Sequence, residues 1–337
     1  MLSYKNIFDS LGLREWCDES KANSLMSLSQ LRGDKIEWWE LPFPSLDNLH
    51  RACSAVPQTR DLTSSLEAGF LAVRPSLRLI LDPLTQPLSW ALEYTLLFFT
   101  TMPWWVIVPL ILLITQYVTK SSRITFLVAF CFVFFLFTDH YTYAIQTLSI
   151  IFVCTVLCTL FGIPIGILMS KNESARRMIT PVLDMLQTLP TFVYLIPLIF
   201  LFKITEPKLY GLAIMFYSIV PVIRLTDLGI RLVNKNLIEA ADAYGMTARQ
   251  KLVNVEIPLA LPNIMAGVNQ TIMMSLAMVV IASLVSAPGL GTLVLDGINN
   301  LRLGVGFVAG FGIVLLAVIL DRISKTALAR IDESRDI

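Results

Sequence analysis

From Pro103 onwards, long apolar stretches alternate with short polar connections. A helix needs about 20 mostly apolar residues to cross the hydrocarbon core of a bilayer. On that criterion the pattern predicts about seven spans, so the expected fold class is an all-α, polytopic integral membrane helix bundle. The predicted spans are Pro103 to Thr119, Arg123 to Thr138, Ala144 to Met169, Leu189 to Phe202, Leu209 to Arg224, Ile264 to Ala287 and Val305 to Leu320.

The part of the chain before these spans is more polar. Residues 1–88 are predicted to form a hydrophilic tail on the external side, which prolines break into short pieces. The stretch Trp90 to Thr101 carries Glu93 and is predicted to be an interfacial helix that joins the first transmembrane hairpin, in residues 89–140. The membrane core then covers residues 141–325, and residues 326–337 form a short tail. The prolines of the polar part are Pro42, Pro44, Pro57, Pro75, Pro83 and Pro87.

The composition also indicates a protein of the lipid bilayer. Of 337 residues, 55% are hydrophobic and 15% are charged, and the mean hydropathy is +0.69. Soluble domains have about a quarter of their residues charged. The net charge of +1 comes without a concentrated basic patch, which excludes a nucleic-acid partner.

Lysine and arginine indicate the orientation, because they accumulate in cytoplasmic connections. With an odd number of spans, this rule places the N-terminus outside and the C-terminus in the cytoplasm, in a multi-pass protein of the bacterial plasma membrane. The connections predicted to be cytoplasmic contain Lys120, Arg123, Lys171, Arg176, Arg177, Arg231, Lys235, Arg249 and Lys251.

Cysteine and histidine give no sign of a metal centre. Cys17 and Cys53 lie in the polar part, and a bond between them in an oxidising compartment stays open. The other three cysteines lie in predicted spans, where a small apolar role is usual. His50 and His140 lie in unrelated places, so the sequence predicts no metal site.

A soluble-looking stretch, "EAADAYGMTARQKLVNVEIP", interrupts the apolar pattern from Glu239 to Pro258. Asn236 and Glu239 have the spacing of a capping box, and Gly245 lies where a left-handed helix end is wanted. These signals predict a short helix from Asn236 to Tyr244.

A second helix is predicted to follow the glycine. Thr247 and Gln250 repeat the capping-box spacing. Pro258 and Pro262 are expected to limit this helix before the next span begins. We call residues 236–258 the coupling loop.

The first helix of the coupling loop has two possible roles. Its alanines have small side chains, so the helix is narrow. Its apolar residues recur at three- and four-residue spacing, as in a helix that inserts into another protein's groove. The alternative is a loop that packs only against its own bundle. The recurring apolar residues are Leu237, Ile238, Ala241 and Tyr244.

A resemblance favours the docking role. Glu239, Ala240 and Ala241, then Gly245 after three residues and Val255 to Pro258 after nine more, resemble the EAA loop of bacterial ABC importer membrane subunits. The resemblance implies that this loop docks on a cytoplasmic ATPase. The coupling residues would be Glu239, Ala240, Ala241, Tyr244, Gly245 and Pro258.

The resemblance extends from about Ala144 to Ser324 and indicates a particular group of ABC importer permeases. The segments that carry it look like the permease of the glycine betaine/proline uptake systems, although Pro288 stands in "SAPGLG" where that family often has glycine. Those segments are "LDMLQTLPTFVYLIPLIFLF" (183–202), "RLTDLGIR" (224–231), "LPNIMAGVNQTIMMSLAMVVIASLV" (261–285) and "ILDRIS" (319–324).

This likeness implies an ABC importer permease for glycine betaine, proline betaine, choline or a related quaternary ammonium osmolyte. It also implies a separate ATPase that binds ATP and Mg, an external solute-binding protein, and a second copy of the chain in a homodimeric core. The chain itself would bind no cofactor and would be a transport subunit rather than an enzyme. Consistent with this, the sequence has no Gly-Lys pair, which a P-loop requires.

One predicted span has polar residues at membrane depth. Asn269 and Gln270 are costly there unless they face a partner or a wet cavity. With Thr271, Met274, Ser275 and Met278 they give a weakly polar wall for a translocation path, to which Tyr194 could add a cation–π face. Helix packing through small residues is the open alternative.

Glycines predict close contacts and a turn. Gly162 with Gly166, and Gly306 with Gly310, have the small-x-x-x-small spacing of closely packed helices. Pro288 with Gly289 and Gly291 predicts a turn.

Two other functions would predict different features in the sequence. An ion-driven secondary transporter would show inverted repeats and ionisable residues within its spans, and neither is evident. A non-transporting membrane scaffold would have no use for a docking loop.

Overall fold

The computed structural model describes residues 44–53 and 56–333, and the regular structure in this part is helical throughout. The chain divides into two compact units, Met1–Leu77 and Arg78–Ile337. In the first unit, helix α1 (Leu46–Ala52) is capped by Ser45, whose hydroxyl accepts from the backbone N–H of Asn48. Cys53 is buried and takes part in a disulfide. Its pairing with Cys17 stays a prediction, because Cys17 lies outside the described residues.

Helix α2 (Thr59–Thr101) is 43 residues long, and it corrects the prediction of a broken tail. Pro75, Pro83 and Pro87 lie inside it instead of ending short pieces. Each proline removes one helical hydrogen bond, but tertiary packing overrides this local preference. Leu92 is fully buried in the core, for example. The predicted boundary between residues 88 and 89 falls within α2, and the expected interfacial helix is its last part.

Eleven further helices follow in the described residues. Single turns of other helix types lie between some of them: 3₁₀ turns at Thr191–Tyr194 and Ser283–Val285, and a π-turn at Leu252–Glu256. The helices are α3 (Trp104–Thr119), α4 (Ser122–Phe137), α5 (Tyr141–Lys171), α6 (Glu173–Thr188), α7 (Leu195–Leu201), α8 (Pro207–Arg231), α9 (Lys235–Ala243), α10 (Ala248–Lys251), α11 (Ile257–Ala282), α12 (Leu290–Asn299) and α13 (Leu303–Glu333).

The number of helices that could cross a membrane is lower than the predicted seven. Four described segments are long and apolar enough, and the number rises to six if each of two bent helix pairs counts as one span. The bent pairs are α2 with α3 and α6 with the α7 segment, while α4 is a shorter apolar helix. The four segments are Tyr141–Lys171, Pro207–Arg231, Ala248–Val285 and Leu303–Ala327.

The predicted span Leu189 to Phe202 is not one straight helix. Leu189 is extended, with ψ of 134°, and a 3₁₀ turn precedes the short helix α7. Pro190 explains the break, because a residue before proline avoids the helical region. The direction of the chain changes by 109° between α6 and the Thr191–Leu201 segment.

Helices α5, α8 and α11 form the closely packed centre of the second unit. A Cβ at Gly166 of α5 would lie 2.6 Å from Thr226 Cβ of α8, and one at Gly162 would overlap Val222. The predicted close approach through Gly162 and Gly166 is therefore confirmed. Of the second pair, Gly306 packs against Gly297 of α12, but Gly310 has open space around it.

The predicted turn after Pro288 is present, and it leads into a helix that the sequence pattern did not reveal. Gly289 has φ of +128° and is the N-cap residue of α12. Helix α12 then packs along α13 as an antiparallel partner, with Gly297 against Gly306.

Candidate functional site

The N-cap of helix α9 lies two residues earlier than predicted. Asn234 is the N-cap, and its side-chain oxygen accepts from the backbone N–H of Asn236 at 3.0 Å. The predicted capping box between Asn236 and Glu239 is therefore wrong, because Asn236 already lies inside the first turn. Glu239 is consequently presented on the exposed surface of α9.

The end of α9 is a glycine-terminated cap. Gly245 has φ of +73°, which side chains other than glycine rarely adopt. The N–H of Met246 donates to the carbonyl of Ala241 at 3.1 Å, and the N–H of Gly245 donates to that of Asp242 at 2.9 Å. These two bonds make a Schellman motif. The predicted left-handed helix end at Gly245 is confirmed.

The apolar residues of α9 differ in burial. Ala241 is 4% exposed, and Ile238 packs beside a small apolar cluster that includes Ile230 and Ile264. Leu237 and Tyr244 lie on the same face as Ala241, one helical turn to either side of it, but they are 46% and 85% exposed. Ala241 and Ile238 therefore anchor the helix to its own bundle, while the large apolar groups of Leu237 and Tyr244 remain accessible.

The second half of the coupling loop is tied to the first. The predicted capping box of Thr247 and Gln250 is confirmed, with both reciprocal hydrogen bonds present. The ammonium group of Lys251 lies 2.6 Å from the carboxylate of Asp242 on α9. This ion pair links the two short helices.

Pro258 does not end the second helix, contrary to the prediction. Helix α10, the π-turn and α11 continue into one another, and Pro258 lies in the first turn of α11. The N–H of Ile257 bonds to the carbonyl of Leu252, five residues back. The wider π-turn fits the missing N–H of Pro258 without a break.

An open groove of about 490 Å³ lies between α9 and the π-turn region. Its wall is mostly apolar, and it continues onto the exposed ring of Tyr244. An apolar groove beside a thin helix is a surface on which another protein's side chains can be buried. The groove is lined by Leu237, Ala240, Ala241, Tyr244, Met246, Asn254, Val255, Pro258 and Leu259.

The predicted path residues on α11 are divided between two faces. Thr271, Ser275 and Met278 are fully buried in the packed centre, whereas Gln270 is exposed and Met274 is half-buried. Asn269 accepts a hydrogen bond from the hydroxyl of Ser324 on α13 at 2.5 Å. For Asn269 this contact favours the packing alternative.

Tyr194 lies in the hydrophobic core. Its side chain is buried among apolar residues of the bundle, and its hydroxyl donates to the carbonyl of Leu189 at 3.4 Å. The ring thus stabilises the bend between α6 and α7, and a cation–π role for it stays a prediction.

A comparison with protein families identifies this architecture. Residues 162–332 match the profile of the family described as "Binding-protein-dependent transport system inner membrane component". The chain belongs to this family. The match contains the coupling loop and α11, while α2–α4 lie outside it.

Individual relatives agree with this membership. The chain is 44% identical over 200 residues to the glycine betaine transport system permease protein OpuAB of Bacillus subtilis, covering 58% of this chain and 70% of the relative. It is 46% identical over 192 residues to the glycine betaine/proline betaine permease protein ProW of Escherichia coli, covering 57% of this chain and only 54% of the relative.

A solved structure has the same fold. One chain of the inward-facing MetNI methionine ABC transporter superposes with a TM-score of 0.52 and 17% sequence identity. The superposition covers 57% of this chain and 95% of the other. The membrane component therefore has the fold of an ABC transporter membrane subunit.

Sequence reasoning missed the far wall of the groove. Asn254, Val255 and Leu259 complete it. Of these, only Val255 entered the sequence analysis, as part of the EAA-loop resemblance, and it was not predicted to contact a partner. The spacing of Val255 and Leu259, four residues apart, places them on one helical face. That signal alone does not show that α9 lies opposite.

Proposed function

We propose that this chain is the membrane-spanning subunit of an ATP-driven importer for glycine betaine, proline betaine, choline or a related quaternary ammonium solute. The family membership and the printed names of OpuAB and ProW support the substrate class. The observation that carries the mechanism is the exposed face of α9 beside an open apolar groove. This surface suits a partner that pushes on the loop.

The partner at this surface is a cytoplasmic ATPase that holds ATP and Mg²⁺. Tyr244 and Leu237 are large, exposed apolar groups at the rim of the groove, which is the usual chemistry of an interface anchor. Glu239 and Ala240 lie on the same exposed stretch. ATP hydrolysis in the partner then displaces α9, while this chain catalyses no reaction itself.

The solute passes along the exposed face of α11, between two copies of the chain. Gln270 lies on this face with Ala266 and Ala277, all exposed in the single chain. The face is small and weakly polar, and a compact zwitterion can move along it without being trapped by a full charge. A second copy also supplies the second docking loop that a pair of ATPases needs.

The remaining arrangement completes the importer. An external solute-binding protein delivers the solute, as the family description implies. In this proposal α4 crosses the membrane in addition to the four long segments and the two bent pairs, which makes seven spans. The chain then lies in the bacterial plasma membrane with its N-terminus outside and its C-terminus in the cytoplasm, and the coupling loop lies on the ATPase side.

The test is purification of the chain from its native membrane in mild detergent, followed by mass spectrometry of what co-purifies. We expect a P-loop ATPase with the unmodified chain and its depletion with Gly245→Val, because a β-branched side chain is strained at φ of +73°. Gly304→Val is the matched control, since Gly304 also has open space around it but no positive φ.

Uptake of radiolabelled glycine betaine into proteoliposomes that hold the chain and its ATPase, with the proposed solute-binding protein outside, gives the second readout. Uptake that requires ATP inside the vesicles supports the importer. Uptake that persists without ATP and disappears with the ion gradient would instead establish the secondary transporter. If no ATPase co-purifies and no uptake is measured, a non-transporting membrane scaffold would explain the results better than an importer.

A further inference from the structure

Two carboxylates are deeply buried near the ends of the coupling loop. The side chain of Asp227, on the last turn of α8 before the loop, is 8% exposed. That of Glu256, in the π-turn at the end of the loop, is 3% exposed. A buried carboxylate is retained only when it is paired, because the loss of hydration is large.

The pairing of Asp227 involves two arginines. Its Oδ1 lies 2.7 Å from Nε of Arg231, and its Oδ2 lies 3.4 Å from Nε of Arg176 on α6. Arg231 also contacts the carboxylate of Glu173 at 2.5 Å and donates to the carbonyl of Met169 at 2.7 Å. The entry of the coupling loop is therefore held to the residues around the α5–α6 junction.

The exit of the loop is held to the same junction. Lys171, the last residue of α5, forms an ion pair with Glu256. Between Met169 and Arg176, the junction thus provides a partner for each end of the loop. We call the ion pairs Lys171–Glu256, Arg231–Asp227, Arg231–Glu173 and Arg176–Asp227 the junction clamp.

We propose that the junction clamp carries the displacement of the coupling loop to the α5–α6 junction. This inference rests on the proposed function, because it assumes an ATPase that moves the loop. Along the chain the loop continues only into α8 and α11, and the clamp adds charged contacts from both ends of the loop to the α5–α6 junction. With the clamp, α6 moves as well, and the bend at Leu189 and Pro190 lies at its far end.

The clamp residues are positioning residues, since none of them lies on the exposed docking face or the exposed face of α11. Their removal is expected to change how much solute is moved per ATP, rather than whether ATP is hydrolysed. The measurement is therefore the number of ATP molecules hydrolysed per glycine betaine imported. It uses the complex of this chain with its co-purifying ATPase in proteoliposomes, with the proposed solute-binding protein supplied outside the vesicles.

The informative variant replaces both members of one pair, Lys171→Met with Glu256→Met. This change leaves neither charge buried without a partner, so the bundle is expected to keep its stability. We expect the ATPase to remain bound, and the ATP used per solute to rise about ten-fold, within the usual range of coupling effects. The charge-reversed pair, Lys171→Glu with Glu256→Lys, is expected to restore much of the coupling.

The matched control is Lys325→Met with Asp321→Met. This lysine–carboxylate pair on α13 has a 60% exposed lysine and lies within one helix, so its loss is expected to leave the ratio unchanged. A wild-type ratio in the Lys171/Glu256 variant would overturn the clamp. Loss of the ATPase from that variant would also overturn it, because the pair would then maintain the loop's fold rather than transmit its motion.

The unmodified complex separates this inference from the proposed function. If it shows no ATP-dependent uptake, the importer assignment is contradicted. The proposal of the junction clamp is then contradicted as well, because it rests on that assignment. If it transports and the variant keeps its ratio, only the clamp is contradicted.

Discussion

The hydroxyl of Thr147 on α5 accepts a hydrogen bond from the backbone N–H of Leu290 at 2.9 Å. Leu290 is the first residue of α12, where backbone N–H groups have no partner within the helix. The contact fixes the start of α12 against a central helix of the bundle. It also brings Thr147 so close to Gly289 that a Cβ there would overlap its hydroxyl.

Replacement of this glycine is the first prediction. Gly289→Ala is expected to destabilise the protein by about 2–3 kcal/mol, because it combines a strained φ with a steric conflict. Thermal unfolding in detergent measures the effect, with Gly310→Ala as the control, since Gly310 has open space. An unfolding temperature equal to that of the control would contradict the role of this contact.

Tyr244 tests the docking face directly. Because its ring is exposed, Tyr244→Ala is expected to leave the unfolding temperature unchanged while it weakens ATPase binding by about 2 kcal/mol, as for an interface anchor. Titration of the purified ATPase onto the detergent-solubilised chain gives the affinity. Tyr94→Ala, at another exposed tyrosine, controls for general loss of aromatic surface. Equal affinities for the two variants would remove Tyr244 from the interface.

Adjacent residues on α11 distinguish the path from the packed centre. Gln270→Lys places a cation on the exposed face, so we expect normal insertion with reduced glycine betaine uptake. Thr271→Lys buries an unpaired charge at a fully buried position, so we expect failure to fold. Size-exclusion profiles and uptake assays separate the outcomes. Full uptake with Gln270→Lys would exclude this face as the path.

Asn269 and Ser324 are expected to be energetically coupled through their hydrogen bond. A double-mutant cycle with Asn269→Ala and Ser324→Ala should give a coupling energy of about 0.6 kcal/mol, the average for such bonds within membranes. The measurement is unfolding in detergent, with uptake recorded in parallel. If the coupling energy is zero and Asn269→Ala alone abolishes uptake, the result would show that Asn269 lines the translocation path instead of stabilising helix packing.

Local chemistry made parts of the coupling loop predictable. Gly245 and the Thr247–Gln250 capping box follow from bonds between residues only a few positions apart, and both are confirmed. The same reasoning placed the first cap at Asn236, because Asn234 offers an equivalent side chain two residues earlier. Identical chemistry at neighbouring positions leaves such a boundary undecided in the sequence.

Long-range contacts account for what the sequence did not reveal. Continuity of α2 depends on apolar side chains such as Leu92 packing against Gly211 of α8, far away in sequence. On α11, Gln270 and Thr271 are both polar, and periodicity assigns them to different faces without saying which face is inside. Only the packing of Gly267 against α8 decides that Thr271 points into the bundle.

The continuous run from α10 through the π-turn to Val285 has a mechanical consequence. It is 38 residues long, which corresponds to about 57 Å of helix. Its first residues belong to the coupling loop, and its last reach the opposite end of the bundle. A tilt of about 5° around the loop end would move the far end by roughly 5 Å, given that length. In the proposed importer, a small rotation of the run at the coupling loop would therefore become a larger displacement at the opposite end of the bundle.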